Sequence, residues 1–249
     1  MDKVSYKSNQ KRTEDYVKNF DREKVLKSLI RPNNPIIFDV GAATGQSLLQ
    51  FKKWWPNCEV HCFEPQPKLF NEMVHEPNNQ FKNVRYNEFA LGDITKDAQD
   101  FYSHKVQPML GGFDRLNVKS KDSVAINKPE LVDMEDGEFI DGINQIQLVN
   151  VITLEEYVKE FNIDEIDILK LDTQGWESKI LKGAGSFLSN IKIVLAELNF
   201  YDLYEHQHSF LELEKYLLPQ GFKLFDINHI SKNPMNGRTD WVDVIYIKE

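Results

Sequence analysis

The chain has 249 residues, enough for one large α/β domain with embellishments, and no Pro/Gly/Ser-rich linker divides it. Thirty Lys and Arg against 39 Asp and Glu leave a net charge of −9, which argues against a nucleic-acid partner. Two cysteines, Cys58 and Cys62, cannot build a disulfide framework or a four-ligand zinc site; with no signal-peptide core and no membrane-spanning apolar run, the expectation is a cytoplasmic protein.

Residues 1–34 are polar and basic, with Tyr16, Val17, Phe20, Val25, Leu26, Leu29 and Ile30 at helical spacing until Arg31-Pro32. They read as an N-terminal helical extension, and residues 35–249 as a single domain. Pro35 to Gly45 then forms its centre: an apolar strand ending at Val40, a small-residue turn, and a helix start. Gly41 and Gly45 let the backbone fold sharply and let a ligand approach bare main chain, with the free amides of the new helix facing it. Thr44 or Ser47 is the expected cap of that helix, whose apolar face is Leu48, Phe51 and Trp55.

Strand two, Val60 to Phe63, closes at Glu64-Pro65. An acid about 20 residues past such a turn is where a carboxylate meets a ribose. Turn and acid fit a dinucleotide as well as S-adenosylmethionine, and an ordinary α/β turn with a capping Glu is the bland alternative. Leu69, Phe70 and Met73 mark another helix, and Val84 to Leu91 a third strand ending at Gly92-Asp93, giving the first half of a doubly wound fold. From 94 to 147 regularity fails: Phe101-Tyr102 begins a strand, while Met109 to Arg115 and Glu135-Asp136-Gly137 read as loops. This insertion, with the N-terminal helices, is the expected acceptor wall, or else a surface excursion of no catalytic importance.

Ile146 to Ile152 is again a strand, followed by a helix with Thr153 and Glu156 as a capping box. The next buried strand, Ile166 to Asp172, carries Lys170 and Asp172 two apart and so on one side. A buried ion needs a partner or a task. Gly175 permits the following turn, Glu177 to Leu188 is amphipathic with Gly183 and Gly185 interrupting it, and Ile191 to Leu198 is a strand with Glu197 near its end. Phe210, Leu213 and Leu217 form a last helix. Phe222 to Ile227 and Trp241 to Ile247 then make an antiparallel hairpin around Asn233 to Gly237.

Several of these segments carry a family likeness: Phe38 to Gly45, Phe63-Glu64-Pro65-Gln66-Pro67, Ala90 to Asp93, Thr153 to Tyr157, and above all Leu169-Lys170-Leu171-Asp172-Thr173-Gln174-Gly175-Trp176-Glu177. Together they resemble class I S-adenosylmethionine-dependent methyltransferases and, more narrowly, the FkbM-type methyltransferase family. The resemblance implies a doubly wound Rossmann-like sheet, mostly parallel with an antiparallel terminal strand. It also implies that Asp39, Gly41, Ala42, Ala43, Thr44 and Gly45 hold the methionine part of the cofactor. Glu64, beside Pro65, would hold the ribose hydroxyls, and the turn from Leu91 to Asp93 the adenine. S-adenosylhomocysteine would be the product, and the acceptor a hydroxyl of a glycan, sugar or small natural product. Asp172, Glu197 and Lys170 are the candidate catalytic residues, with Asp172 also beside the cofactor. Two departures stand out: Ala43 where the family usually has Asn, and Gln174 where it commonly has a second acid.

Other readings remain open. Asp172, Glu197 and Asn199 are oxygen ligands at neighbouring strand ends, similar to those of a magnesium-dependent catechol-type methyltransferase, although a divalent metal is not favoured. His206-Gln207-His208 next to Glu205 could also suggest a metal, but two His alternating around Gln at a helix start are more often exposed polar residues, with His206 a spare candidate base. A nicotinamide-dependent oxidoreductase would use the same loop and acid, and a catalytically inactive cofactor-binding module would use Asp172 and Glu197 only as an ion-pair network with Lys170.

Overall fold

The computed structural model describes residues 8–105, 107–120, 142–200, 203–206, 209–233 and 236–248; the loop expected at Glu135-Asp136-Gly137, and Gln207-His208, lie outside them. The central element is β1 (Ile36–Val40), whose alternating residues enter two separate cores. Phe38 and Val40 join an apolar cluster on one face of the sheet, and Ile37 joins another on the opposite face. Coverage of both faces is why the strand is apolar at almost every position.

Around β1 lie β2 (Glu59–Phe63), β3 (Val84–Asn87), β7 (Ile166–Leu171), β8 (Ile191–Asn199), β9 (Phe222–Lys232) and β10 (Thr239–Lys248), in the sheet order β3-β2-β1-β7-β8-β10-β9. The pairs β2–β3, β1–β2, β1–β7 and β7–β8 are parallel. β10 is antiparallel to both β8 and β9, so the terminal hairpin folds back with its last strand inside the sheet and β9 at the edge. On one face α2 (Arg22–Leu29) and α3 (Gln46–Trp54) bury Val25, Leu26, Leu48 and Phe51. On the other face α5 (Leu154–Glu160), α6 (Glu177–Gly183) and α7 (Phe210–Leu217) bury Tyr157, Ile180, Leu181, Leu213 and Leu217. α1 (Asn9–Asn19) buries no residue, and α4 (Pro67–His75) seats Leu69 and Met73.

Two local expectations change. Val84 to Leu91 is two strands: β3 stays in the main sheet, whereas β4 (Ala90–Gly92) leaves it for a second sheet of order β4-β6-β5, with β5 at Lys96–Ser103 and β6 at Gln145–Thr153. The buried Asn87 side chain marks the break, donating to the Cys62 carbonyl while its Oδ1 accepts from the Tyr157 hydroxyl. Neither Thr44 nor Ser47 caps α3; Gly45 does, in the left-handed region at φ 87°, with no side-chain bond. The amphipathic stretch after Gly175 is interrupted where expected: the helix ends at Gly183, and a 3₁₀ segment spans Gly185–Asn190.

This topology brings the carboxyl ends of β1, β2, β7 and β8 to one edge, with β2 and β7 on opposite sides of β1. That is the switch point at which open parallel sheets bind ligands. Gly41 occupies it at φ 78°, where a Cβ would lie 1.9 Å from the Asp172 carbonyl oxygen. Gly41→Ala therefore combines backbone strain with a main-chain clash, and we expect a cost of at least about 3 kcal/mol and a fall in Tm of roughly 6–12 °C. Thermal unfolding followed by circular dichroism checks this; an unchanged Tm would mean that β1 and β7 do not approach so closely.

Candidate active site

A cavity of about 420 Å³ opens at this edge. That lies within the roughly 300–1,000 Å³ typical of small-ligand sites. On one side it is lined by Gly41, Ala42 and Ala43 from the turn after β1, and by Glu64, Pro65 and Gln66 from the end of β2. Leu91, Phe101, Phe113 and Trp176 form an apolar wall, and Lys170, Asp172, Gln174, Glu197 and Asn199 bring polar groups from β7 and β8.

The glycine turn is organised by its own hydrogen bonds. The Gly41 and Ala42 amides both donate to the Phe63 carbonyl, the Ala43 amide to Glu64 Oε2 at 3.0 Å, and the Gly45 amide to the Ala42 carbonyl. The amides expected to face a ligand are thus largely used inside the loop. Gln46 and Ser47, in the first turn of α3 where backbone donors are free of intrahelical partners, also line the cavity. Ala43 reaches its place at φ 47°, unusual for a residue with a Cβ.

Glu64 is 3 % exposed, and its Oε1 accepts the Gln66 amide at 2.9 Å. Burial raises its carboxyl to about 7, against the lowering effect of the two backbone amides. One side chain thereby ties the β1 turn to the β2 end and still lines the cavity. Trp176, which also lines it, has a buried Nε1 with no hydrogen-bond partner among the described residues, and its ring lies 4.4 Å from that of Phe113. A flat apolar wall, an orphaned indole donor and a buried carboxylate suit a nucleoside: a purine face, and ribose hydroxyls that donate to an acid.

On the opposite side Lys170 Nζ lies 3.1 Å from Asp39 Oδ1 and 3.4 Å from Asp172 Oδ2. Asp39 and Lys170 are register partners across β1 and β7, which makes this a cross-strand pair. Burial alone would lower the lysine's pKa, but the two carboxylates outweigh it and hold the ammonium above its usual value. Asp39 is fully buried and stands behind the cavity wall, whereas the Asp172 side chain is 37 % exposed. Glu197 is pushed up to about 8, first by burial and then by Asp172, Asp243 and Glu177. The Glu177 carboxylate is turned inward and accepts from the Thr173 amide and hydroxyl, holding the loop after β7.

Of the residues expected from the sequence, the structure gathers Gly41, Ala42, Ala43, Glu64, Pro65, Leu91, Lys170, Asp172 and Glu197 around one cavity. Four stand outside its lining. Asp39 faces Lys170, the Thr44 carbonyl accepts from Asn79, and Gly45 packs on Asn79 and Met73. Asp93 forms ion pairs with Lys182 at 2.9 Å and Lys179 at 3.5 Å. His206 is exposed and hydrogen-bonds Asp114.

The loop at Met109–Gly111, expected to carry binding, does line the cavity, held by Gln66 Nε2 donating to the Pro108 carbonyl and by Tyr204 contacting the Leu110 carbonyl. Leu110, Leu116, Ile143, Leu203, Tyr204 and Trp241 form a small core of their own that joins the insertion to the segment after β8. No residue of α1 or α2 lines the cavity. Arg22 instead pairs with Asp243, and Tyr16 bonds Asp226. Leu203, Tyr204 and Trp241 were missed because no local pattern marks them; only the topology carries them here.

In the comparison with protein families, the Methyltransferase FkbM domain matches residues 39–224. The 2-O-methyltransferase NoeI of Sinorhizobium fredii is 26% identical over 72% of this chain and 70% of its own length. The 31-O-demethyl-FK506 methyltransferase FkbM of Streptomyces tacrolimicus is also 26% identical, over 70% of this chain and 68% of its own length. Among solved structures, methyltransferase FkbM from Methylobacillus flagellatus aligns at TM-score 0.49 and 14% identity, covering 93% of this chain and 50% of that one.

Because Glu197 titrates near 8 when folded but near 4.5 when unfolded, the folded state binds more protons between those values, and stability falls as pH rises through that window. Removing the titration should flatten this fall. Glu197→Gln is expected to melt higher than the parent at pH 8, with the difference shrinking towards pH 5. Parallel slopes of Tm against pH for the two proteins would show that Glu197 is not held in its neutral form.

Proposed function

Since the chain belongs to the FkbM methyltransferase family, we propose that this S-adenosylmethionine-dependent O-methyltransferase acts on a hydroxyl of a sugar, a glycan or a small natural product. The observation that carries this reading is the single cavity joining Glu64 at one end with Asp172 and Glu197 at the other. When bound, S-adenosylmethionine supplies an electrophilic methyl group on a sulfonium. Glu64 receives the ribose hydroxyls, and Leu91, Phe101 and Phe113 offer the adenine an apolar slot.

The chain's own task is then alignment and removal of one proton. Asp172 takes the proton of the acceptor hydroxyl, while Lys170, its ammonium held charged from two sides, orients that carboxyl group without itself exchanging protons. Glu197, neutral in its resting form, donates a hydrogen bond to the acceptor and fixes its orientation. Trp241 and Asn199 give the acceptor side an aromatic surface beside an amide, a combination suited to a polyhydroxylated ring. A cytoplasmic setting fits the two free, buried cysteines; among the described residues no helix is long and apolar enough to cross a membrane.

Labelled S-adenosylmethionine incubated with the protein and panels of glycans or cell extracts tests the reading, the expected result being a methyl group gained at a hydroxyl. The two ends of the cavity should separate by mutation. Glu64→Gln should weaken S-adenosylhomocysteine binding about ten- to a hundredfold, or ~1.5–3 kcal/mol. Asp172→Asn should leave that affinity nearly unchanged yet slow single turnover by ~10²–10⁴. Calorimetry and rapid-quench rates check the pair, and a fully active Asp172→Asn would end its role as base.

A further inference from the structure

The carboxylates of Asp172 and Glu197 are bridged by one amide. Gln174 Nε2 lies 3.1 Å from Asp172 Oδ1 and 3.5 Å from Glu197 Oε1, the second at the outer limit of a hydrogen bond, while Gln174 Oε1 accepts from the Tyr204 hydroxyl at 2.7 Å. The two carboxylates fix which end of the amide faces them, because its oxygen has nothing to donate. Gln174 holds this place in the left-handed region, at φ 55°, a conformation that side-chain-bearing residues rarely adopt. Gly175 follows at φ 98° and completes the turn.

We propose that Gln174 is a positioning residue of the acceptor site, its amide nitrogen taking the place of a cation between Asp172 and Glu197 and holding the two carboxylates as one proton-handling pair. The charges around the pair explain why a donor is needed there. β1 contributes Asp39, β7 contributes Lys170, and the start of α6 contributes Glu177. β10 contributes Asp243, itself paired with Arg22 of α2 and His229 of β9. Acids dominate this set, and Asp172, Asp243 and Glu177 all oppose ionisation of Glu197. A neutral donor suffices while Glu197 is held in its neutral form. A carboxylate at position 174 would put three acids around one point, the arrangement that takes up a hard divalent cation. Among the described residues no group of three His, Cys, Asp or Glu is so arranged in the present chain.

The inference rests on the reading of Asp172 and Glu197 as the acceptor end, but its test uses no cofactor. Mn²⁺ alone is titrated calorimetrically into the parent, Gln174→Glu, and the double variant that adds Glu197→Gln, all at pH 7.5. Gln174→Glu should bind Mn²⁺ at least about tenfold more tightly than the parent, and the double variant should lose that gain. Equal Mn²⁺ affinity of parent and Gln174→Glu would overturn the proposal.

Gln174→Leu provides a second readout should the first variant fail to fold. A donor to the charged form is lost, so the Glu197 pKa should rise, and the fall of Tm with pH should shift upward by about half a unit or more. An unmoved midpoint would also overturn the proposal, since a purely structural Gln174 would lower Tm without changing its pH dependence. Failure to bind S-adenosylhomocysteine would count against the methyltransferase reading and leave both outcomes untouched.

Discussion

Much of the site depends on one cross-strand ion pair, Asp39 with Lys170, at the carboxyl end of the two central strands. A lysine buried there would be costly alone, and Asp39 supplies the balancing charge from a position with no solvent exposure. Because β1 answers the ammonium, the second acid beside it, Asp172, is left partly exposed and lines the cavity. The pair thus separates a structural acid from a chemical one on adjacent strands. Burial pushes the Asp39 carboxyl upward, and Lys170 opposes that rise.

The same economy of contacts recurs at the other end of the cavity. Glu64 accepts one amide from the turn after β1 and one from the residue beyond β2, so the glycine turn is rigid before any ligand arrives. Gln66 then reaches the Pro108 carbonyl, and Tyr204 spans the Leu110 carbonyl and Gln174. Through these bonds the regular sheet, the insertion and the segment after β8 become a single enclosure. Both ends of the cavity stand on strand termini, Glu64 just past β2 and Glu197 within the last residues of β8, and loops close it over.

Most of the fold could be read from the chain because apolar runs and glycine turns report local structure directly. β1, β2, β7 and β8 and the helices beside them follow from strand and helix periodicity alone. What escaped had non-local causes. The departure of β4 into a second sheet depends on pairing with Val151 to Thr153, some sixty residues away in the chain. Lys170 and Asp172 were visible as a pair and do lie together, yet the closer partner of Lys170 is Asp39, which only the β1–β7 register discloses. The resemblance assigns the adenine to the turn from Leu91 to Asp93; Leu91 lines the cavity, whereas Asp93 pairs with two lysines of α6 outside its lining. Trp241 enters only because β10 inserts beside β8, a matter of topology that no local pattern encodes.

The most direct check compares the melting temperatures of Asp39→Asn and Asp172→Asn at neutral pH. If Asp39 is the counter-charge of Lys170, Asp39→Asn strands a buried ammonium and should lose about 3–5 kcal/mol, or roughly 6–20 °C in Tm. Asp172→Asn should then melt within a few degrees of the parent. The reverse order, with Asp172→Asn the unstable variant and Asp39→Asn unaffected, would contradict the division between a structural and a chemical carboxylate.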